Sequence, residues 1–233
     1  MSNNTVPILS TKKLPESLIQ SALQEGFKID CIPFIETMPV SDNDLSKQIN
    51  ALAAKNINAI FTSGIAAKAV AAMLTEPPHW NIYCIHGQTL QHVKECFPQS
   101  VIAGTAGYGE DLAEEILKHK IKEAVFFCGN RRLNVLPTKL PAGNVSLKEY
   151  VVYRTELRPV KVDKTYKAIL FYSPSGVQSF FSENTIANDV VLISIGNTTT
   201  RAIEKFCNNK IYTAHHASPK SMIEQLKQIE EWN

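Results

Sequence analysis

Short apolar runs alternate along the chain with stretches in which apolar residues recur every three or four positions. Val6 to Leu9 reads as a buried strand, ended by the polar turn Ser10-Thr11-Lys12-Lys13. Leu14 to Glu25 then places Leu14, Leu18, Ile19, Ala22 and Leu23 on one helical face, and Gly26 stops it. Lys28 to Ile35 reads as a second strand, broken by Pro33. Asp42 opens a helix carrying Leu45, Ile49, Leu52 and Ala53. The pattern continues with strand Ala59 to Thr62, helix Ile65 to Met73, strand Tyr83 to Ile85 and helix Thr89 to Cys96. Ile102-Ala103 begins a further unit whose helix runs from about Glu110 to Leu117. Strand Ala124 to Cys128 follows, with Gly129-Asn130-Arg131-Arg132 as the loop after it. Val145 to Thr155 is extended and rich in β-branched and aromatic residues. Beyond it the scheme repeats: strand Ala168 to Tyr172, helix Val177 to Phe181, strand Val190 to Ile195, helix Thr200 to Phe206, strand Ile211 to Thr213, and a helix from about Ser221 to Glu230.

Strands alternating with helices imply right-handed βαβ units and parallel sheets buried on both faces. The chain also nearly repeats itself at a constant offset of 110 residues. Phe61-Thr62-Ser63 reappears as Phe171-Tyr172-Ser173, His86-Gly87-Gln88-Thr89 as Gly196-Asn197-Thr198-Thr199, and Ile102 to Leu117 as Tyr212 to Lys227. Two similar α/β domains follow from this. The second copy lacks opening strands, which the N-terminal strand and helix supply if the chain starts in one domain, crosses to the other and returns. The expected organisation is a discontinuous domain of residues 1–33 plus 158–233, a continuous domain of residues 39–150, and linker strands at 34–38 and 151–157. Two linkers still permit hinge motion.

The chain has 233 residues, 44% hydrophobic and 20% charged, which fits an ordinary globular protein of one or two domains. A formal net charge of +2 without a Lys/Arg block gives no reason to expect nucleic acid. Five widely spaced cysteines without a C-x-x-C suit neither a zinc site nor a disulfide framework, and read as small apolar core residues. Met1-Ser2-Asn3-Asn4-Thr5-Val6-Pro7 lacks the charged and apolar regions of a signal peptide. No apolar run reaches the roughly 18 residues of a membrane span. The expectation is a cytoplasmic protein without membrane contact.

In parallel α/β sheets, ligands bind outside the carboxyl ends of the strands. Those ends carry Thr62-Ser63, Thr89, Tyr172-Ser173, Thr198-Thr199 and the Gly129–Arg132 loop. Each hydroxyl falls where a helix N-cap is expected, so each can either cap its own helix or help the helix N-terminus hold a carboxylate or phosphate. Their recurrence in two domains favours binding. Gly104-Thr105-Ala106-Gly107-Tyr108-Gly109 has the wrong spacing for a dinucleotide loop, and Ser63-Gly64-Ile65-Ala66-Ala67-Lys68 lacks the ending of a phosphate loop. There is no G-x-S-x-G elbow. His215-His216 reads as a pair of solvated loop histidines rather than metal ligands. Tyr153 lies in the second crossover, where its phenol either packs as a strand residue or faces the ligand and donates a proton.

Taken together, Ile60-Phe61-Thr62-Ser63, Thr89, Cys128-Gly129-Asn130 with Leu136-Pro137, Val152-Tyr153-Arg154-Thr155, Phe171-Tyr172-Ser173-Pro174-Ser175-Gly176-Val177, Ile195-Gly196-Asn197-Thr198-Thr199 and Ser218-Pro219 resemble the uroporphyrinogen-III synthase family. The resemblance lies in their order and spacing over most of the chain. It implies two flavodoxin-like parallel-sheet domains joined by a two-stranded linker, a ligand cleft between them, no cofactor and no metal. It implies a lyase that closes the linear tetrapyrrole hydroxymethylbilane, with its eight carboxylates, to uroporphyrinogen III, inverting ring D and losing water. It further implies a monomer of tetrapyrrole and heme biosynthesis, with a transient contact to the upstream hydroxymethylbilane synthase. Tyr153 falls on the family's tyrosine thought to assist departure of the ring A hydroxyl. Thr62, Ser63, Thr89, Ser173, Thr198 and Thr199 fall on its cleft-lining hydroxyls, and Gly129, Asn130, Arg131, Arg132, Ser175 and Gly176 complete the candidate substrate site. Lys12-Lys13, Ile65 and His86 depart from the family's usual residues, leaving Arg131, Arg132, Arg154 and Lys12 as candidate cations for the carboxylates. Two readings compete from the residues alone: a non-catalytic two-domain binder of an acidic small molecule, which needs the anion sites but no positioned phenol, and a flavodoxin-like regulatory module, for which no aspartate cluster follows a strand.

Overall fold

The computed structural model describes residues 5–229; the expected end of the last helix at Glu230 lies outside them. In chain order the elements are β1 (Val6–Ser10), α1 (Glu16–Gln24), β2 (Phe27–Cys31), β3 (Ile35–Pro39), α2 (Asn43–Ala53), β4 (Asn58–Phe61), α3 (Gly64–Met73), β5 (Asn81–Ile85), α4 (Gln88–Cys96), β6 (Val101–Ala106) and α5 (Gly109–Lys118). They continue with β7 (Glu123–Gly129), α6 (Val135–Ala142), β8 (Ser146–Leu157), β9 (Ala168–Phe171), α7 (Pro174–Phe181), β10 (Val191–Ser194), α8 (Asn197–Ile203), β11 (Ile211–Thr213) and α9 (Pro219–Lys227). None of the described helices is long and apolar enough to cross a membrane.

The chain forms two compact units, one from the residues up to Glu36 together with those from Glu156 onward, the other Thr37–Thr155. The first holds a parallel five-stranded sheet in the order β11-β10-β9-β1-β2. The second holds a six-stranded sheet in the order β3-β8-β7-β4-β5-β6, whose strands from β8 to β6 run parallel. At the offset of 110 residues, β4, β5 and β6 start where β9, β10 and β11 do in the other copy. The strand orders then coincide, with β7 and β8 standing in the second unit where β1 and β2 stand in the first. The two sheets are one design, circularly permuted.

Alternation along the strands explains why both faces are apolar. Ile8, Ala168, Leu170, Val191 and Ile193 point to the layer that holds α1 and α9, while Leu9, Ile169, Phe171 and Leu192 point to α7 and α8. In the second unit Ala59, Phe61, Ile82, Cys84, Val125 and Phe127 meet α2, α3 and α4, whereas Ile60, Tyr83, Phe126 and Cys128 meet α5 and α6. Buried on two sides, these strands read as unbroken apolar runs rather than alternating ones. Beneath the carboxyl ends of β4, β7 and β8 lies an aromatic stack. Phe61 sits 5.2 Å from both Phe97 and Phe127, Trp80 5.4 Å from Phe127, and Phe127 5.9 Å from Tyr150. Each such pair adds about 0.5–1.5 kcal/mol beyond its area burial, so the platform under the second unit's loops is rigid.

Three sequence expectations change. Lys28 to Ile35 is not one strand: Pro33 separates β2, at the edge of one sheet, from β3, at the edge of the other. The segment after Arg132 contains α6, whose two prolines hid it. Pro137 sits in the first turn, where no amide partner is needed, and Pro141 in the last. The cysteines are all unpaired, yet only Cys84 and Cys128 are fully buried, where burial pushes both thiols up to about 11.

Candidate active site

The carboxyl end of the second unit's sheet closes around a pocket of about 230 Å³. Ile85, Phe126, Leu133, Val135 and Leu136 make an apolar wall, while Thr62, Ser63, Arg131, Arg132 and Tyr153 make a polar one. A larger pocket of about 460 Å³ lies in the first unit, walled by Pro7, Lys167 and Val190 at the amino ends of β1, β9 and β10. Helix N-termini and strand carboxyl ends are both at the other edge of that sheet, so the smaller pocket has the better chemistry. Its volume is below the roughly 300–1,000 Å³ that engulfs a drug-sized ligand, which suits one end of a larger molecule.

Tyr153 reaches this pocket because β8 is bulged. The register pairs Phe127 with Tyr150 and Cys128 with Val151, then skips Val152 to pair Gly129 with Tyr153. Strict alternation would put Tyr153 on the face of Val151, away from Tyr150 and Val152. The extra residue returns it to their face, where it packs on the same core and lies over Gly129. Bulges beside active sites commonly re-aim a side chain in this way. Gly129 is required: a Cβ there would stand 2.4 Å from the phenol's Cζ and 2.8 Å from its Oη.

Ser63 supplies the phenol's partner. It caps α3 by accepting the Ile65 N–H at 3.2 Å, and its hydroxyl bonds to the Tyr153 oxygen. The Ser63 bond lowers the Tyr153 pKa, the sense of a hydroxyl that donates to Oη, and in that arrangement the phenol's own proton can be given to a ligand. Burial raises the Tyr153 pKa above its ordinary value of 10, and the Ser63 bond partly opposes that. At neutral pH the phenol is therefore fully protonated.

The cations are arranged unequally. Arg132 is bound by Glu149 through Nε and by Asn134 through Nη1 at 2.8 Å, so much of its charge is already answered. The Glu149 carboxylate holds the Arg132 pKa above its usual value. Arg131 stands exposed at the pocket wall, and Arg154 is exposed outside it. In the first unit the Lys12 ammonium lies 5.9 Å from the Tyr172 ring centre.

The first unit carries its own copy of the junction. Ser173 caps α7 by accepting the Gly176 N–H at 3.1 Å, with Ser175 and Gly176 in the helix's first turn. The Tyr172 phenol, like that of Tyr153, has a serine hydroxyl for a partner. Ser10 Oγ bonds to the Lys12 carbonyl at 2.6 Å and to the Tyr172 phenol oxygen at 3.3 Å. Burial pushes Tyr172 up to about 12. The threonines are not caps: Gly87 and Gly196 occupy the N-cap positions of α4 and α8, and Thr89, Thr198 and Thr199 lie in the first turns. Gly87 holds φ 72°, a left-handed conformation that suits glycine. Thr198 is exposed, whereas Thr199 is 1% exposed and faces inward.

A family model described as uroporphyrinogen-III synthase HemD matches residues 16–224. The chain belongs to the uroporphyrinogen-III synthase family. Among solved structures, a mutant uroporphyrinogen III synthase from the extremely thermophilic bacterium Thermus thermophilus aligns with a TM-score of 0.71 at 16% identity, covering 96% of this chain and 98% of that one. The uroporphyrinogen-III synthetase of Helicobacter pylori aligns with a TM-score of 0.65 at 17% identity, covering 96% and 99%. At these identities the two alignments speak for the fold, and the family model carries the assignment. No curated protein matches the chain. Family membership sets aside the non-catalytic binder and the regulatory module as readings.

A uroporphyrinogen-III synthase must hold an acidic substrate and help one hydroxyl leave, and several features relevant to that work were not visible in sequence. The bulge at Val152 and the Arg132–Glu149 pair depend on tertiary register. So does a hydroxyl cluster under α8, where Thr200 Oγ1 meets Ser194 Oγ at 2.6 Å and Thr213 Oγ1 at 2.7 Å. That cluster ties the first turn of α8 to two strand ends, so Thr200 is structural. The paired hydroxyls Ser194 and Thr213, both ending strands, were the only available signal. His215 and His216 are exposed in a loop, and no group of three metal-binding side chains occurs among the described residues.

Proposed function

We propose that the chain cyclises hydroxymethylbilane to uroporphyrinogen III with inversion of ring D and loss of water, and that Tyr153 gives the proton taken by the departing hydroxyl. The observation that carries this is the place of the phenol: it lines the pocket beside Ser63, whose hydroxyl can donate to its oxygen and so leave its own proton for the ligand. Loss of the hydroxyl leaves a cation stabilised by the adjoining pyrrole, so a weak acid is sufficient. A phenol with a raised pKa is such an acid, and it never runs short of protons at neutral pH. The Ser63 hydroxyl then stabilises the phenolate. The proton released when the last pyrrole regains aromaticity restores the phenol, which balances the loss of water.

The larger task is geometric, because ring D must be attacked at its substituted carbon, giving a spiro intermediate that opens and recloses. Positioning of this kind supplies catalysis without strong acids or bases. On this reading the apolar wall of Ile85, Phe126 and Leu133 takes a pyrrole face. Thr62, Ser63, Thr89, Gly129 and Arg131 meet carboxylates in one unit. Ser173, Ser175, Gly176 and Thr198 meet them in the other. Thr199 is buried and its amide donates to the Gly196 carbonyl at 2.9 Å, so it shapes the turn that presents Thr198, and Arg132 acts in balance with Glu149. A monomer in the cytoplasm, supplied through a transient contact with hydroxymethylbilane synthase, completes the reading. Freshly made hydroxymethylbilane should yield the type III isomer when the protein is added. Formation of only the type I isomer, which arises spontaneously, would overturn the proposal.

A further inference from the structure

We infer that the Asn130 carboxamide is a positioning residue, holding the β8 backbone so that the Tyr153 phenol keeps one direction of proton delivery. The inference rests on the reading of Tyr153 as the proton donor. The sequence puts Asn130 among the candidate substrate ligands, whereas in the structure its side-chain oxygen accepts a backbone amide. The ladder between β7 and β8 ends at Gly129 and Tyr153, just after the bulge. Past that point Asn130 takes over the pairing. Its backbone N–H donates to the Tyr153 carbonyl at 3.3 Å, and its Oδ1 accepts the Thr155 N–H at 2.8 Å. One residue thus holds β8 at Tyr153 itself and two residues beyond.

The need for such a hold follows from the bulge. An extra residue interrupts the ladder and strengthens the local twist, so the strand beyond it is less constrained than an ordinary neighbour. Tyr153 sits at that step, with Gly129 offering no side chain to confine the ring from below. The side-chain oxygen of Asn130 stands in for the carbonyl that a continued ladder would present. Without it the Thr155 amide has no acceptor from β7, and the bulged segment can rotate, taking the phenol away from Ser63 and the leaving hydroxyl. Asn130 is itself exposed, so its substitution leaves the core untouched.

The test compares kcat and KM on freshly made hydroxymethylbilane for the wild type, Asn130→Ala, Asn130→Asp, Tyr153→Phe and the Asn130→Ala/Tyr153→Phe double variant. Asn130→Ala should lower kcat about tenfold, the scale of one lost hydrogen bond and a slightly misplaced group, with KM within about threefold. Asn130→Asp keeps the acceptor and should keep kcat within about threefold of wild type. In the Tyr153→Phe background, Asn130→Ala should cost less than about twofold, because no proton is left to aim. The inference is overturned if Asn130→Ala retains wild-type kcat, if only KM rises, if Asn130→Asp loses as much as Asn130→Ala, or if the loss is equal in both backgrounds. A wild-type protein that makes no type III isomer would instead overturn the proposed function, before any variant is compared.

Discussion

Gly129→Ala probes the closest approach in the candidate site. A methyl group at this position would lie 2.4 Å from Tyr153 Cζ, 2.5 Å from Cε2 and 2.8 Å from Oη. Carbon atoms make ordinary contact at about 3.5 Å, so the ring has to retreat by about 1 Å. The backbone at Gly129 is outside the left-handed region, so alanine adds no conformational strain and the effect is confined to the ring. Inward movement is blocked by the packed aromatic core, which leaves an outward shift that breaks the Ser63 contact. A misplacement of about 1 Å costs on the order of 10²-fold in rate, equivalent to about 2.7 kcal/mol of activation free energy. Overpacking should lower stability by about 1–3 kcal/mol, a few degrees in Tm for a protein of this size. The assay is the rate of type III product formed from freshly generated hydroxymethylbilane, beside a thermal melt. A variant with a cooperative melt and kcat within about threefold of wild type would refute the argument that the ring is held against Gly129.

Ser63→Ala removes both the α3 cap and the donor to the phenol; stability should fall by about 1 kcal/mol and kcat by about tenfold, read by a melt and by product formation. A drop in stability with unchanged kcat would reduce Ser63 to a cap. Titration tests the buried phenols. Tyr166 and Tyr172 are each pushed up to about 12, chiefly by burial, and Tyr83 and Tyr153 are raised in the same direction. A raised folded-state pKa means that the folded protein holds protons the unfolded chain releases above pH 10. The stability these groups supply is fully present below pH 10 and lost as pH rises through about 12. Tyrosinate absorbance should therefore show a late class among the seven tyrosines, shifting to the ordinary range on denaturation. Titration of all seven together in the native protein would contradict the assigned burial.

Much of the fold was legible because parallel strands buried on both faces have a strong apolar signature. The 110-residue offset was legible because both copies keep serine at the strand-to-helix junction, and Ser63 and Ser173 do cap their helices. The threonines misled for a local reason. Gly87 and Gly196 take the cap positions, which moves Thr89, Thr198 and Thr199 into the first turn. α6 was lost because prolines at its ends suppress the helical pattern while leaving the backbone free to form it. Tyr153 could be picked out by its place in the chain, but its aim could not. The bulge, the close approach of the ring to Gly129 and the second bond from Asn130 all arise from how β7 and β8 pair, and pairing register is not written in either segment alone.

On the proposed function, the Tyr153 phenol delivers the proton that lets the substrate hydroxyl leave. The most direct test is the single-turnover rate of type III formation by Tyr153→Phe, which keeps the ring's packing and removes only the acidic oxygen. The expected rate is about 10²-fold below wild type, the lower end for loss of a general acid, with the fold intact and spontaneous type I product appearing in its place. A rate within about threefold of wild type, with type III still the dominant isomer, would contradict it.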